Sequence, residues 1–248
     1  MFIDYLTLLL VNMAAGLVIL AGFFLRGLNS PNPRPWVAPL AMVGAVAFLV
    51  GLHMTLTWPI PGDLRFANVA FGETSVMLGV LLLGAALVVA KGWDLLPLSI
   101  YAVVAGVAAL VLGVTIHLLR LTQSPELTTA GFVLSGLAGV AAPVVLLLRK
   151  QAKVRALMAL VLLAAAGIWA FIGYGAYYMH LEGYTRGLRA PKPATAPASP
   201  GAQAQAGAGA QTTGSQPALA NLTSTQPGGA AGSQPGDVRK KIQDEYNR

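Results

Sequence analysis

Six apolar stretches separated by short polar breaks constrain this chain more than any other feature. They run over Tyr5–Leu25, Trp36–Trp58, Thr74–Ala90, Leu95–Leu119, Leu127–Leu148 and Ala156–His180. A helix needs about 20 apolar residues to cross a hydrocarbon core about 30 Å thick, and these stretches have that length. The third is the shortest and can extend backward through FANVAFG. Charged residues make up 10% of the chain, where a soluble domain carries about 25%. The expected fold class is therefore all-α, a polytopic integral membrane bundle of about six transmembrane helices over residues 1–189.

From Ala190 the composition turns abruptly to Ala, Pro, Gly, Gln, Ser and Thr. Such a segment has too few large apolar side chains to offset the entropy of ordering it, so a disordered tail is expected over 190–248. Its charged end, Asp237–Arg248, reads either as a short helix formed on binding or as a solvated terminus. Inside the spans, Ala and Gly are frequent, as in YAVVAGVAALVLG and LSGLAGVAA. Small residues let membrane helices approach closely, which favours one compact bundle. Pro143, within the fifth span, is expected to kink it.

The chain has no cysteine, which excludes disulfides, thiolate metal sites and cysteine nucleophiles. Its net charge of +7 comes from basic residues scattered between apolar runs, not from a patch. No nucleic-acid partner is expected, and the excess reads as a topology signal. Arg26, Arg34, Lys91, Arg149, Lys150, Lys153 and Arg155 fall in the first, third and fifth connections. The positive-inside rule puts those connections in the cytoplasm and both termini outside, although Arg186, Arg189 and Lys192 pull the other way. The start, MFIDYL, has no basic residue before the first span, so a retained anchor is expected and not a cleaved signal. Trp36, Trp58, Trp93 and the tyrosines from Tyr174 to Tyr184 sit at span ends, as interfacial anchors do.

The three histidines, His53, His117 and His180, all lie late in even-numbered spans and so point toward one membrane face. Glu73 and, before it, Asp63, Arg65 and Asn68 belong to the connection on that face, and Asn12 lies two turns into the first span. Imidazole is the commonest metal ligand and also ligates haem iron. Three histidines and Glu73 would suit a divalent metal, and two histidines from facing helices would suit haem b. The alternative is a set of ordinary interfacial histidines. No H-x-x-x-H pair fixes two ligands on one helix, and at ~1.5 Å per residue His53 lies some ~5–10 Å deeper than the other two. The segment TWPIPGDLRFANVAFGET carries helix-stopping Pro59 and Pro61, a turn-permitting Gly62, and an Asp63–Arg65 pair within reach of each other. It reads as a re-entrant lid on the bundle or as a loop resting on headgroups.

No phosphate loop, nucleophile elbow or mid-membrane carboxylate is present in the sequence. The leading expectation is a non-catalytic binding or accessory subunit, its partners the lipid bilayer and other membrane subunits, with a metal, haem or partner site at the outward end. A small-solute transporter or channel-like pore is the second, and a zinc-dependent membrane hydrolase the third.

The stretch from Gly51 to Glu73, GLHMTLTWPIPGDLRFANVAFGE, resembles an uncharacterised prokaryotic membrane family, domain of unknown function 981. Gly51, Met54, Thr57, Trp58, Pro59, Pro61 and Gly62 match its G-x-x-M-x-x-T-W-P-x-P-G mark, and Ala70, Phe71, Gly72 and Glu73 its A-F-G-[ED] mark. The resemblance covers the membrane region and not the tail. It implies about six spans and a bacterial or archaeal plasma membrane, and brings no activity, substrate or cofactor.

Overall fold

The computed structural model describes residues 5–189. The tail from Ala190, with its charged end Asp237–Arg248, lies outside the described residues. The helices are α1 (Tyr5–Gly22), α2 (Val37–Thr57), α3 (Thr74–Lys91), α4 (Leu96–Leu119), α5 (Pro125–Leu147) and α6 (Ala152–Arg189). All six are long and apolar enough to cross a membrane, and among the described residues there is no strand. The protein is an all-α, membrane-embedded bundle.

Short breaks end the helices for local reasons. Trp58 closes α2 in a left-handed conformation, its N–H donating to the Met54 carbonyl, and Pro59 follows. Gly92 closes α3 at φ 68°, where a side chain would be strained. Pro125 and Pro97 stand in the first turns of α5 and α4, where a missing N–H costs nothing. α5 continues through Pro143 as one element.

α6 runs beyond the expected Ala156–His180 at both ends, and two other boundaries also differ from expectation. α1 runs on into a π-helical turn, Phe23–Gly27, in which the Leu28 N–H donates to the Phe23 carbonyl at 2.8 Å. Trp36 fills the space beside this turn, packing edge-on to Phe23 at 6.0 Å. The second difference is larger. Beyond residues 58–61 the segment before α3 is not the non-helical lid or loop considered for it, and the backward extension through FANVAFG is helical, as its apolar residues allow. A 3-10 turn, Gly62–Leu64, leads into a π-helical stretch, Asn68–Glu73, that joins α3 directly. The third span thereby covers Gly62–Lys91, 30 residues. A helix satisfies its own backbone groups, which an irregular lid at this depth cannot.

The helices pack in a ring, each against its chain neighbours, with α6 closing onto α1. Three pairs are tight: α4 on α5, α2 on α3, and α1 on α6. The α3–α4 seam is the loosest. Lipid tails are as apolar as leucine, so burial does not drive these pairs together; dispersion between close backbones does. Glycine permits it. A Cβ on Gly106 would lie 2.6 Å from the Gly136 carbonyl oxygen, and one on Gly136 would lie 2.7 Å from that of Gly106. On α2 and α3, a Cβ on Gly51 would stand 2.8 Å from the Gly72 carbonyl oxygen, and one on Gly79 would collide with the Phe48 backbone. Side-chain hydrogen bonds add to this: Asn12 donates to the Val43 carbonyl at 3.1 Å, and Thr129 to the Gly113 carbonyl at 3.1 Å.

This packing predicts a sharp difference between glycines. Gly106→Ala should lower stability by about 1–3 kcal/mol, because the backbones must separate to admit a methyl group. Gly167→Ala, whose Cβ would meet nothing within 4 Å, should leave stability unchanged or slightly raised. Thermal unfolding in mild detergent measures both.

Candidate functional site

The connections divide the bundle into two ends. Asn29 donates to the Arg149 carbonyl at 2.7 Å, which ties the first connection to the fifth. This is the basic end, carrying Arg26, Arg34, Lys91, Arg149, Lys150, Lys153 and Arg155. At the other end the first turns of α1 meet α2 and α6. Tyr5 Oη and His53 Nε2 stand 3.1 Å apart, with their rings 5.0 Å apart, and Thr7 Oγ1 and His180 Nδ1 stand 3.5 Å apart. This is the histidine end.

The expected ligand set is not assembled there. Among the described residues no group of three or more His, Cys, Asp or Glu side chains could hold a metal ion. His53 lies exposed on α2 beside Tyr5, and its carbonyl accepts from Thr57 Oγ1 at 2.8 Å. His180 lies on α6 beside Thr7. His117 is exposed on α4, which packs on α5 and lightly on α3. Glu73 is exposed at the end of the π-helical stretch. Asp63 and Arg65 are both exposed, and no ion pair joins them. Asn12 serves as the link to α2 described above.

Asn68 has a defined structural task. It is 1% exposed, and its Nδ2 donates to the carbonyls of Ile60 at 2.8 Å and Arg65 at 3.2 Å, while its Oδ1 accepts from the Ile60 N–H at 3.3 Å. One buried amide thus satisfies the backbone that Pro59 and Pro61 leave unpaired. The clamp holds Ile60 and Phe66 against the central core. The segment covers this end of the bundle as a folded, helical cap.

Beneath that cap lies an aromatic triad. Phe132 and Trp169 meet edge-on at 5.1 Å between centroids, and Phe71 packs 5.5 Å from Phe132 and 6.2 Å from Trp169. Trp169 is fully buried, and its Nε1 donates to Ser135 Oγ at 3.1 Å.

From the triad toward the basic end runs a cavity of about 150 Å³. Its wall comes from every helix but α2, with Met13 and Phe24, Thr74 and Leu81, Leu98 and Ala105, Ala142 and Leu146, and Met158 and Trp169 among the lining residues. The hydroxyls in that wall are engaged. Ser99 donates to the Leu96 carbonyl at 2.6 Å, Thr74 to that of Ala70, and Ser135 accepts from Trp169. No imidazole, carboxylate or cation is among the lining residues. Water needs two to four polar partners to occupy a site, and apolar cavities of about this size stay dry.

The model of the family described as "Protein of unknown function (DUF981)" matches residues 1–183. The chain belongs to this family. No curated protein and no solved structure matches the chain. The segment Gly51–Glu73, within the matched region, can now be read physically. Gly51 and Gly72 let α2 and the π-helical stretch touch, Met54 is wholly buried, and Phe71 completes the triad. Trp58 and Gly62 take left-handed conformations at the turn. The cavity escaped sequence reasoning because its wall is made of ordinary span residues. The one signal was Trp169, a tryptophan in the middle of an apolar run and not at an interface.

Asn68→Ala would remove the side-chain partners of the half-buried Ile60 amide and carbonyl, a loss of about 1 kcal/mol. Hydrogen exchange over residues 59–66 should rise markedly, with exchange in α5 and α6 unchanged.

Proposed function

We propose that this DUF981 protein is a non-catalytic membrane protein that holds an apolar ligand inside the bundle. One observation carries the reading: a cavity walled by five helices whose hydroxyls are all turned to protein partners. Such a wall offers nothing to an ion or a sugar and much to a hydrocarbon chain. A solute pathway needs polar lining along its length, and Asn12, His53 and Glu73 are not among the residues of this wall. The site of binding is thereby moved from the histidine end, where the sequence points, to the interior.

The test uses an alkyl-diazirine probe without a headgroup, with the protein in lipid nanodiscs. Photolabelling is expected on the cavity-facing residues of α5 and α6. Ala105→Phe combined with Ala142→Phe should reduce it about tenfold or more, by filling the space the probe occupies. Equal labelling of the filled and native proteins would remove the proposal.

The same reading sets the basic end in the cytoplasm of a prokaryotic cell, with both termini outside the plasma membrane, because cytoplasmic connections retain Lys and Arg. The chain is free of cysteine, so single substitutions report orientation directly. A maleimide that cannot cross membranes should label Gln123→Cys in intact cells and spare Ser30→Cys. The reverse pattern inverts the assignment.

A further inference from the structure

The cavity is lined at one end by Phe132 and Trp169 of the triad and, at the other, by side chains that stand close in sequence to basic residues. Met158 lines it, and Arg155 lies three residues earlier on the same helix, one turn below. Leu146 lines it, with Arg149 three residues further on; Phe24 lines it, with Arg26 two residues beyond. Leu95 lines it beside Lys91 and Asp94. Asp94 is the acidic side chain in this set, and it is engaged as a cap, its Oδ1 accepting from the Leu96 N–H at 3.2 Å.

Arg155 is held in place. Its Nη1 donates to the Arg149 carbonyl, the same oxygen that accepts from Asn29. Its Nε is buried with no acceptor. A buried guanidinium N–H without a partner is costly, and among the described residues no carboxylate is paired with this cation. An apolar cavity with a lining residue, Met158, one helical turn from Arg155, a cation without an ion-pair partner among the described residues, suits an amphiphile with an apolar tail and an anionic head.

We infer that the ligand is a lipid bearing an anionic phosphate headgroup, its chain in the cavity and its phosphate among Arg149, Arg155 and the neighbouring basic side chains. This rests on the cavity reading above and adds the ligand's class. Arg is the residue suited to phosphate, since its planar fork presents several N–H donors at fixed spacing. The loose seam between α3 and α4, faced by Leu81 and Ala105, gives the chain lateral entry from the bilayer.

The experiment is native mass spectrometry of the protein released from nanodiscs containing equal phosphatidylglycerol and phosphatidylcholine with identical chains. Phosphatidylglycerol should be retained at least about fivefold over phosphatidylcholine, and Arg149→Gln with Arg155→Gln should reduce that ratio to below about twofold. Arg155→Lys keeps the charge and should keep most of the preference, which separates charge from the structural contact to Arg149. Adding a polyprenyl phosphate in a parallel sample distinguishes the sources: its displacement of phosphatidylglycerol assigns the site to isoprenoid chains, and its failure to do so assigns it to glycerophospholipids. Equal retention of the two phospholipids overturns the inference. So does a preference that survives Ala105→Phe with Ala142→Phe, because the headgroup contact then belongs to surrounding lipid. If the alkyl probe still labels the cavity while no headgroup preference exists, this inference alone fails. If the probe also fails, the cavity reading fails with it.

Discussion

Everything in this bundle depends on backbones touching where side chains are missing. In hydrocarbon there is no hydrophobic gain in bringing one apolar helix to another, so contact must come from dispersion at short range and from a few interhelical hydrogen bonds. Gly106 against Gly136, and Gly51 against Gly72, bring carbonyl oxygens to distances that no side chain would allow. Cα–H groups at such crossings also face carbonyl oxygens, a weak but recurrent attraction. Pairs made this way are tight along their own seams and indifferent to the space between pairs. The interior cavity lies in that space, bounded by helices whose glycines are spent on their partners.

The cap at the histidine end shows how a polar residue can be structural in a membrane protein. Two prolines remove backbone donors and stop α2, and the chain must then re-enter a helix within a few residues. Asn68 satisfies both the N–H and the carbonyl of Ile60. The π-helical stretch that follows turns Phe71 onto Phe132 and Trp169. The Gly51–Glu73 segment packs Ile60, Phe66 and Phe71 into the central core at this end of the bundle. Its residues do not converge on a metal site.

The histidines illustrate what alternation can and cannot say. An up-and-down path sends His53, His117 and His180 toward one face, and Tyr5 and Thr7 at the start of α1 do meet His53 and His180 there. Sharing a face is not sharing a site. Which helices are neighbours, and which way each is rotated, decides whether side chains converge. His117 sits on α4, which packs against neither α1 nor α2 to any extent, so the set is divided. The basic residues behave differently, because a ring of cations at one end requires only that the connections be on the same side.

Apolar length determined the six spans and the helical class, since continuous apolar runs of about 20 residues satisfy their backbone in a bilayer as helices, whereas barrel strands are shorter and alternate. Proline, glycine and the short polar breaks determined where most of those helices stop to within a turn or so, while α6 runs on past the expected His180 to Arg189. The sequence left open whether the stretch before α3 extends that helix or breaks it, because prolines are local signals whereas the Asn68 clamp pairs groups eight residues apart. Only the tertiary structure decided that the interior holds a cavity, and that Phe132 and Trp169 of the triad line it. A void belongs to no residue: it is set by the distances between helix pairs, and nothing in the order of alanines and leucines records those distances.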